Sequence, residues 1–67
     1  MPDLVINGEA RQFAGPLTVA ALLERLGYAE KRIAVERNGD IVPRGRHAET
    51  PLADGDRLEI VVAVGGG

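Results

Sequence analysis

The chain has 67 residues, of which 45% are hydrophobic and 27% charged, and its formal net charge at pH 7 is −2. A chain of this length makes one domain that buries only about 60% of the surface of its unfolded form, which excludes a large internal substrate pocket. The absence of cysteine excludes disulfides, thiolate metal sites and cysteine nucleophiles, and fits a reducing compartment. Because the charges are mixed, the start is acidic and no apolar run is long, we expect a cytoplasmic protein that binds neither nucleic acid nor membrane.

The first predicted element is a β-hairpin. The aliphatic run of residues 3–6 ends at Asn7-Gly8, and Asn-Gly favours the positive φ angles that a type I′ turn requires. The returning strand over residues 9–13 is polar, which indicates an edge strand with Phe13 as its core residue.

A helix is predicted over residues 18–26. Val19, Leu22, Leu23 and Leu26 follow the i, i+3, i+4, i+7 spacing of one helical face. Thr18 is placed to cap the first turn, and Gly27 is placed to end the helix in the left-handed conformation. Leu17 and Leu22 can form a hydrophobic staple at the start of the helix.

The second half of the chain predicts three more strands. A strand over 33–37 is followed by a second Asn-Gly turn at 38–39 and a short strand at 41–42. Residues 44–52 read as irregular, with room for one helical turn. A turn at Asp54-Gly55-Asp56 precedes the longest strand, over 57–64.

This ββαβββ order predicts an α+β fold, a ubiquitin-like β-grasp with a mixed sheet of about five strands packed on one main helix. The first and last strands are the most aliphatic, so we expect them to be central neighbours. The predicted domain covers residues 1–64, and residues 65–67 form a flexible glycine tail.

Alternation along the strands assigns two faces of the sheet. If Leu58, Ile60 and Val62 face the helix, Val61 and Ala63 face away, as does Val5 of the first strand. Isolated exposed aliphatic residues are common and need no function. The alternative is a partner-docking face of Val5, Val61 and Ala63 that leads into the tail.

The tail of Gly65, Gly66 and Gly67 is the feature that suggests chemistry. Taken alone, three terminal glycines are more often a frayed terminus or a cloning remnant than a functional tail. The functional alternative is a tail that enters a narrow channel on another protein, since a backbone without Cβ atoms can approach closely. Extended from Val64, it would reach about 13 Å. Because a carboxylate is inert, a partner would have to activate Gly67, for example as an acyl-adenylate.

Other candidate sites are weaker, and no catalytic or metal-binding residue is predicted. His47 is the only histidine, which excludes a multi-histidine site, and we expect it on the surface of a polar loop. The Asp54-Gly55-Asp56 segment lacks the remaining ligands of a calcium loop. Arg44 and Arg46 are solvated or dock an acidic surface; the sequence does not decide between these.

Three blocks carry a resemblance that spans essentially the whole chain. They are VERNGDIVPR at 35–44, TPLADGDRLEI at 50–60 and VGGG at 64–67. In this order, the blocks resemble the ThiS family of thiamine-pathway sulfur carriers, within the ThiS/MoaD group of β-grasp proteins. His47 departs from the family, whose members often have an aromatic residue there, commonly Trp.

The resemblance implies a protein that carries sulfur and is not itself an enzyme. A ThiF-type adenylating enzyme would use ATP and magnesium to activate the Gly67 carboxylate, with Gly65 and Gly66 as the recognised tail. This chain would bind no cofactor itself. Sulfur from a cysteine desulfurase-type donor would give a thiocarboxylate, which a ThiG-type thiazole synthase would use to build the thiazole of thiamine.

Two alternatives to this function remain open. A MoaD-like carrier would use the same chemistry and deliver sulfur to molybdopterin. A TGS-like β-grasp module would bind without covalent chemistry and would not need a free terminal glycine. An independent enzyme is disfavoured, because the chain shows no nucleophile–base pair.

Overall fold

The structure, a computed structural model, describes residues 2–28 and 32–62. The strands and the main helix follow in the predicted order, with one hairpin before the helix and one after it in sequence. They are β1 (Asp3–Ile6), β2 (Glu9–Gln12), α1 (Val19–Leu26), β3 (Ile33–Arg37), β4 (Asp40–Val42), a 3₁₀ helix (Arg44–Glu49) and β5 (Arg57–Val62).

The five strands form one mixed sheet in the order β2-β1-β5-β3-β4. Strand β5 pairs parallel to β1 and antiparallel to β3, while the β1–β2 and β3–β4 hairpins are antiparallel. The first and last strands are therefore central neighbours, and β2 and β4 are the edges. This topology confirms the predicted β-grasp fold.

Both Asn-Gly pairs form the predicted turns. Asn7 and Gly8 have φ angles of 50° and 84°, and Asn38 and Gly39 have φ angles of 52° and 89°. Positive φ at both central residues is the requirement of a type I′ turn, whose twist matches that of the flanking strands. The turns therefore set the register of the two hairpins.

The two turn asparagines also bind the central strand, one from each side. The Asn7 side chain accepts from Ile60 N at 2.7 Å and donates to Ile60 O at 3.1 Å, which extends the β1–β5 pairing by one peptide group. On the other side, Asn38 Oδ1 accepts from Arg57 N at 2.9 Å, and its amide donates to Asp56 Oδ1 at 3.1 Å. Each asparagine thus shapes a turn and holds β5.

Helix α1 covers one face of the sheet and closes the core. Thr18 caps it by accepting from Ala21 N at 3.1 Å, and Gly27 ends it at φ 83°. Leu17 and Leu22 are both buried, as the staple requires. Phe13 lies just after β2 and is only partly buried against the core. The buried core is aliphatic: Leu4, Ile6, Leu17, Val19, Leu22, Leu23, Val35, Val42, Leu52, Leu58 and Ile60.

The segment after β4 is more ordered than the sequence predicts. Arg44–Glu49 forms a 3₁₀ helix, and the residues that follow pair with the chain just before α1. Val19 N donates to Thr50 O at 2.9 Å, and Leu52 N donates to Leu17 O at 2.8 Å. These bonds satisfy backbone groups at the start of the helix, so the segment forms part of the helix layer.

Asp56 is the centre of the turn before β5, and it is 6% exposed. Its carboxylate accepts from Ala53 N and Arg37 Nε, both at 2.8 Å, and from Asn38 Nδ2 at 3.1 Å. Burial raises the pKa of Asp56, but the Ala53 amide and the Arg37 and Asn38 side chains outweigh it, so the pKa lies below 3.8. The segment is therefore a turn, as predicted, held together by a buried carboxylate.

Asn7→Asp tests whether the hydrogen bonds between the Asn7 side chain and Ile60 stabilise the position of β5. The substitution keeps a residue that tolerates the turn conformation but replaces the amide donor with a charge facing the Ile60 carbonyl. We expect a loss of about 1–3 kcal/mol in the free energy of unfolding at pH 7, measured with urea. Ala48→Asp adds the same charge at an exposed position of the 3₁₀ helix and should cost much less; equal losses would contradict the proposed role of Asn7.

Asp56 also predicts a pH dependence of stability. Because its folded pKa is depressed, its contribution is present above the unfolded pKa of 3.8 and is lost as the pH falls through the folded pKa. Asp56→Asn should cost about 1–3 kcal/mol at pH 7, towards the lower end because the Arg37 side chain is 34% exposed. In urea titrations, this cost should shrink below pH 3.8. Asp40→Asn, at an exposed position, is the control, and a cost independent of pH would contradict the assignment.

Candidate functional site

The candidate site is the part of the sheet surface that faces away from α1 and centres on strands β5, β3 and β4; we call this part the outer face. Strand pairing places on it residues of the three adjacent strands β5, β3 and β4 and one residue of β1. Its residues in the described part of the chain are taken here as Val5, Ala34, Glu36, Ile41, Arg57, Glu59 and Val61. Alternation along β5 puts Leu58 and Ile60 in the core and the residues between them on this face.

The outer face carries the two exposed large hydrophobic side chains of residues 2–28 and 32–62. Ile41 is 73% exposed on the edge strand β4, and Val61 is 63% exposed at the end of β5. Val5 is half-buried, and Ala63 lies outside the described residues. Val5 and Val61 thus lie on the face that alternation predicts, while their part in docking stays a prediction. Ile41 was missed, although its place next to buried Val42 already implied an outward side chain.

The described part of β5 ends beside the outer face. The strand starts at Arg57, between β1 and β3, and extends beyond the end of β1, where Asn7 binds Ile60. It ends at Val62, immediately after the outward-facing Val61. The predicted tail residues Gly65, Gly66 and Gly67 lie outside the described residues.

The outer face carries two adjacent acidic side chains and one basic side chain near them. Glu36 and Glu59 are directly opposite each other on β3 and β5, and both are exposed. Arg57 is two residues before Glu59 on the same face, and Asn38 Oδ1 accepts from its backbone amide. Among the described residues, the one ion pair joins Arg37 and Asp56, so the two glutamates are not paired within 4.0 Å.

The prediction of a surface position for His47 is wrong. The residue is 8% exposed, because the 3₁₀ helix turns this side chain towards the core. Its Nε2 lies 3.2 Å from the Val42 carbonyl oxygen, a geometry in which the ring donates its Nε2–H. His47 therefore joins the 3₁₀ helix to the end of β4 by one hydrogen bond, and it is not part of a metal-binding cluster in the described residues.

The fold accounts for the two carboxylates of the 54–56 turn, while a docking role for Arg44 and Arg46 stays a prediction. Asp54 Oδ1 accepts from the backbone amide of Asp3, and Asp56 is occupied by three donors, so neither carboxylate is placed to bind a cation. Arg46 lines an open groove of about 370 Å³ beside Ile41, and Arg44 is exposed. No helix in the described part of the chain has the length and apolar character needed to cross a membrane.

Comparisons with known proteins agree with this architecture. The model of the ThiS family matches residues 4–67. The sulfur carrier protein ThiS of Escherichia coli is 34% identical over 65 residues, which cover 97% of this chain and 98% of that protein. A crystal structure of the thiamine biosynthesis protein ThiS from Geobacter metallireducens has a TM-score of 0.82 and 34% identity, covering 97% of this chain and 99% of that one.

A third relative is much longer than this chain. A protein named thiazole synthase from Paramagnetospirillum magneticum is 53% identical over 64 residues, which cover 96% of this chain. The chain spans only 20% of that relative's length. The family model, the full-length relative and the solved structure together show that the chain belongs to the ThiS family.

Proposed function

We propose that this protein is a sulfur carrier for thiazole formation in thiamine biosynthesis, acting as a co-substrate of partner enzymes. The observation that carries the proposal is the family match, which covers residues 4–67 and so includes the C-terminal glycines. The resemblance to the ThiS/MoaD group supports Gly67 as the residue that carries the reactive group.

The proposed chemistry starts at the carboxylate of Gly67. An oxygen of this carboxylate attacks the α-phosphate of ATP on a ThiF-type adenylating enzyme, which uses magnesium, and pyrophosphate leaves. The outer sulfur of a persulfide, supplied by a cysteine desulfurase-type donor, attacks the acyl carbon and expels AMP. A thiol then reduces the resulting acyl disulfide and releases the thiocarboxylate. Adenylation makes the acyl carbon electrophilic, which a free carboxylate is not.

The domain's own contribution is to be recognised and to present the tail. Glycines at 65, 66 and 67 have no Cβ atoms, so a partner can enclose the tail in a channel too narrow for other residues. The outer face, with Ile41 and Val61 exposed next to the end of β5, is the docking surface that such a partner would bind. Binding energy from this face would position the reactive carboxylate.

The names of the relatives support thiazole synthase as the acceptor enzyme. In the relative from Paramagnetospirillum magneticum, a stretch 53% identical to this chain is part of a protein named thiazole synthase. Two activities in one polypeptide raise each other's effective concentration, which suits a carrier and its acceptor. This favours thiamine over molybdopterin as the destination of the sulfur.

Intact-mass measurement tests the proposed function directly. Incubation with ATP, magnesium, a ThiF-type enzyme, a desulfurase with cysteine, and a thiol should add the mass of one oxygen-to-sulfur exchange, located at Gly67 by fragmentation. Omitting ATP should abolish the change. An unchanged mass with a partner that is active on its own carrier would refute the proposal.

Adding one alanine after Gly67 distinguishes the role of the tail in activation from the role of the domain in stability. Activation should fall below detection, because the carboxylate is displaced by one residue and gains a side chain. The free energy of unfolding should change by less than about 0.5 kcal/mol, since surface changes away from the core have small effects. An extra alanine at the other terminus is the control and should leave activation unchanged. Normal activation of the extended chain would contradict the role of Gly67.

Val61→Thr tests the docking face. The change keeps a β-branched residue and replaces one exposed methyl group with a hydroxyl. We expect KM for this protein in the adenylation assay to rise about threefold to tenfold, with the unfolding free energy nearly unchanged. Ala48→Ser, at an exposed position of the 3₁₀ helix, is the control. An unchanged KM would remove Val61 from the docking surface.

A further inference from the structure

Glu36 and Glu59 form a like-charge pair at the centre of the outer face. The register of β3 and β5 places them directly opposite each other. Cβ atoms of directly opposite residues are about 4.5–5.5 Å apart, a separation at which two carboxylates repel. Neither residue contributes to the core, and both are exposed. The pair therefore opposes strand pairing and is not explained by folding.

No ion pair in the described part of the protein includes either glutamate. Its one ion pair, between Arg37 and Asp56, is at the buried turn before β5. Arg57 is the cation nearest in sequence on the outer face, and it makes no contact within 4.0 Å with either glutamate. The open groove beside the pair is lined by both glutamates, by Arg57 and by the Asn38-Gly39 turn.

Apolar groups flank the acidic pair on two sides. Glu36 pairs across the sheet with Ile41 of β4, which is 73% exposed. Glu59 is followed on the same face by Val61, which is 63% exposed. Repelling like charges within one sheet are a local conflict, and such conflicts are expected at functional sites.

We propose that the acidic pair is the specificity element of the docking face, and that it receives a basic side chain of the adenylating partner. This inference rests on the proposed function. The partner's cation lies between Glu36 and Glu59, while its apolar groups cover Ile41 and Val61. Arginine fits best, because its planar guanidinium has donors enough to bind two carboxylates at once. The repulsion within the free carrier is thereby relieved only in the complex.

Charge-removing variants of nearly unchanged shape test this proposal, since stability and affinity should move in opposite directions. Glu36→Gln and Glu59→Gln should each raise the thermal midpoint of the isolated protein by about 2–4 °C, because the repulsion is lost. Each should also weaken Kd for the ThiF-type enzyme about fivefold to tenfold. The wild-type Kd should weaken steeply with added salt, and the Kd of the double variant should be much less sensitive.

Glu24→Gln is the matched control, because Glu24 is exposed on α1, away from the outer face. It should change neither the thermal midpoint nor Kd. If the wild type is activated but the double variant binds the enzyme as tightly as the wild type does, the acidic pair is not part of the interface. The inference then fails, while the proposed function stands. If the variants lower both stability and affinity, the pair has a structural role, which also overturns the inference. If the wild type is never activated, the proposed function fails as well.

Discussion

The structure depends on how strand β5 is held in the centre of the sheet. It pairs parallel to β1 and antiparallel to β3, so it has hydrogen-bonding neighbours from both halves of the chain. Within residues 2–28 and 32–62, the two hairpins do not pair directly with each other. Strand β5 joins them, and its pairing with β1 spans a large sequence separation. Such contacts carry a loop-closure cost that the rest of the fold must offset.

Two asparagines offset part of this cost from within the hairpins. Asn7 and Asn38 adopt positive φ in the turns, and their amide groups bond to β5 and to the turn before it. Asp56 joins the same network through Arg37 and Asn38. Because a buried carboxylate with three donors is costly to leave unpaired, the network favours one position of β5 over a slipped register.

A fixed register for β5 decides which residues the outer face presents. A slip by one residue would exchange the outer face with the core face and would bury Glu59 and Val61. The observed register gives the opposite result: Leu58 and Ile60 are buried in the core, and Glu59 and Val61 point outward. The contacts that stabilise the fold therefore also decide the composition of the proposed docking surface.

The sequence by itself determined the features that depend on local chemistry. Apolar spacing specified α1, the Asn-Gly pairs specified both turns, and the aliphatic character of the first and last strands specified their central places. The family blocks and the terminal glycines pointed to Gly67, a position that lies outside the described residues. In these cases, the physical cause acts within a few neighbouring residues and can be read from them.

Only the tertiary structure decided features that depend on distant parts of the chain. His47 is buried because the 3₁₀ helix lies against α1 and the ring binds the Val42 carbonyl oxygen, and nothing in its polar neighbours in sequence shows this. Asp56 looked like an ordinary turn residue until Arg37 and Asn38 were brought to it. Glu36 and Glu59 are 23 residues apart by their numbers, and only the β3–β5 register makes them opposite neighbours. Strand pairing and burial are long-range properties, so their consequences appear only when the chain has folded.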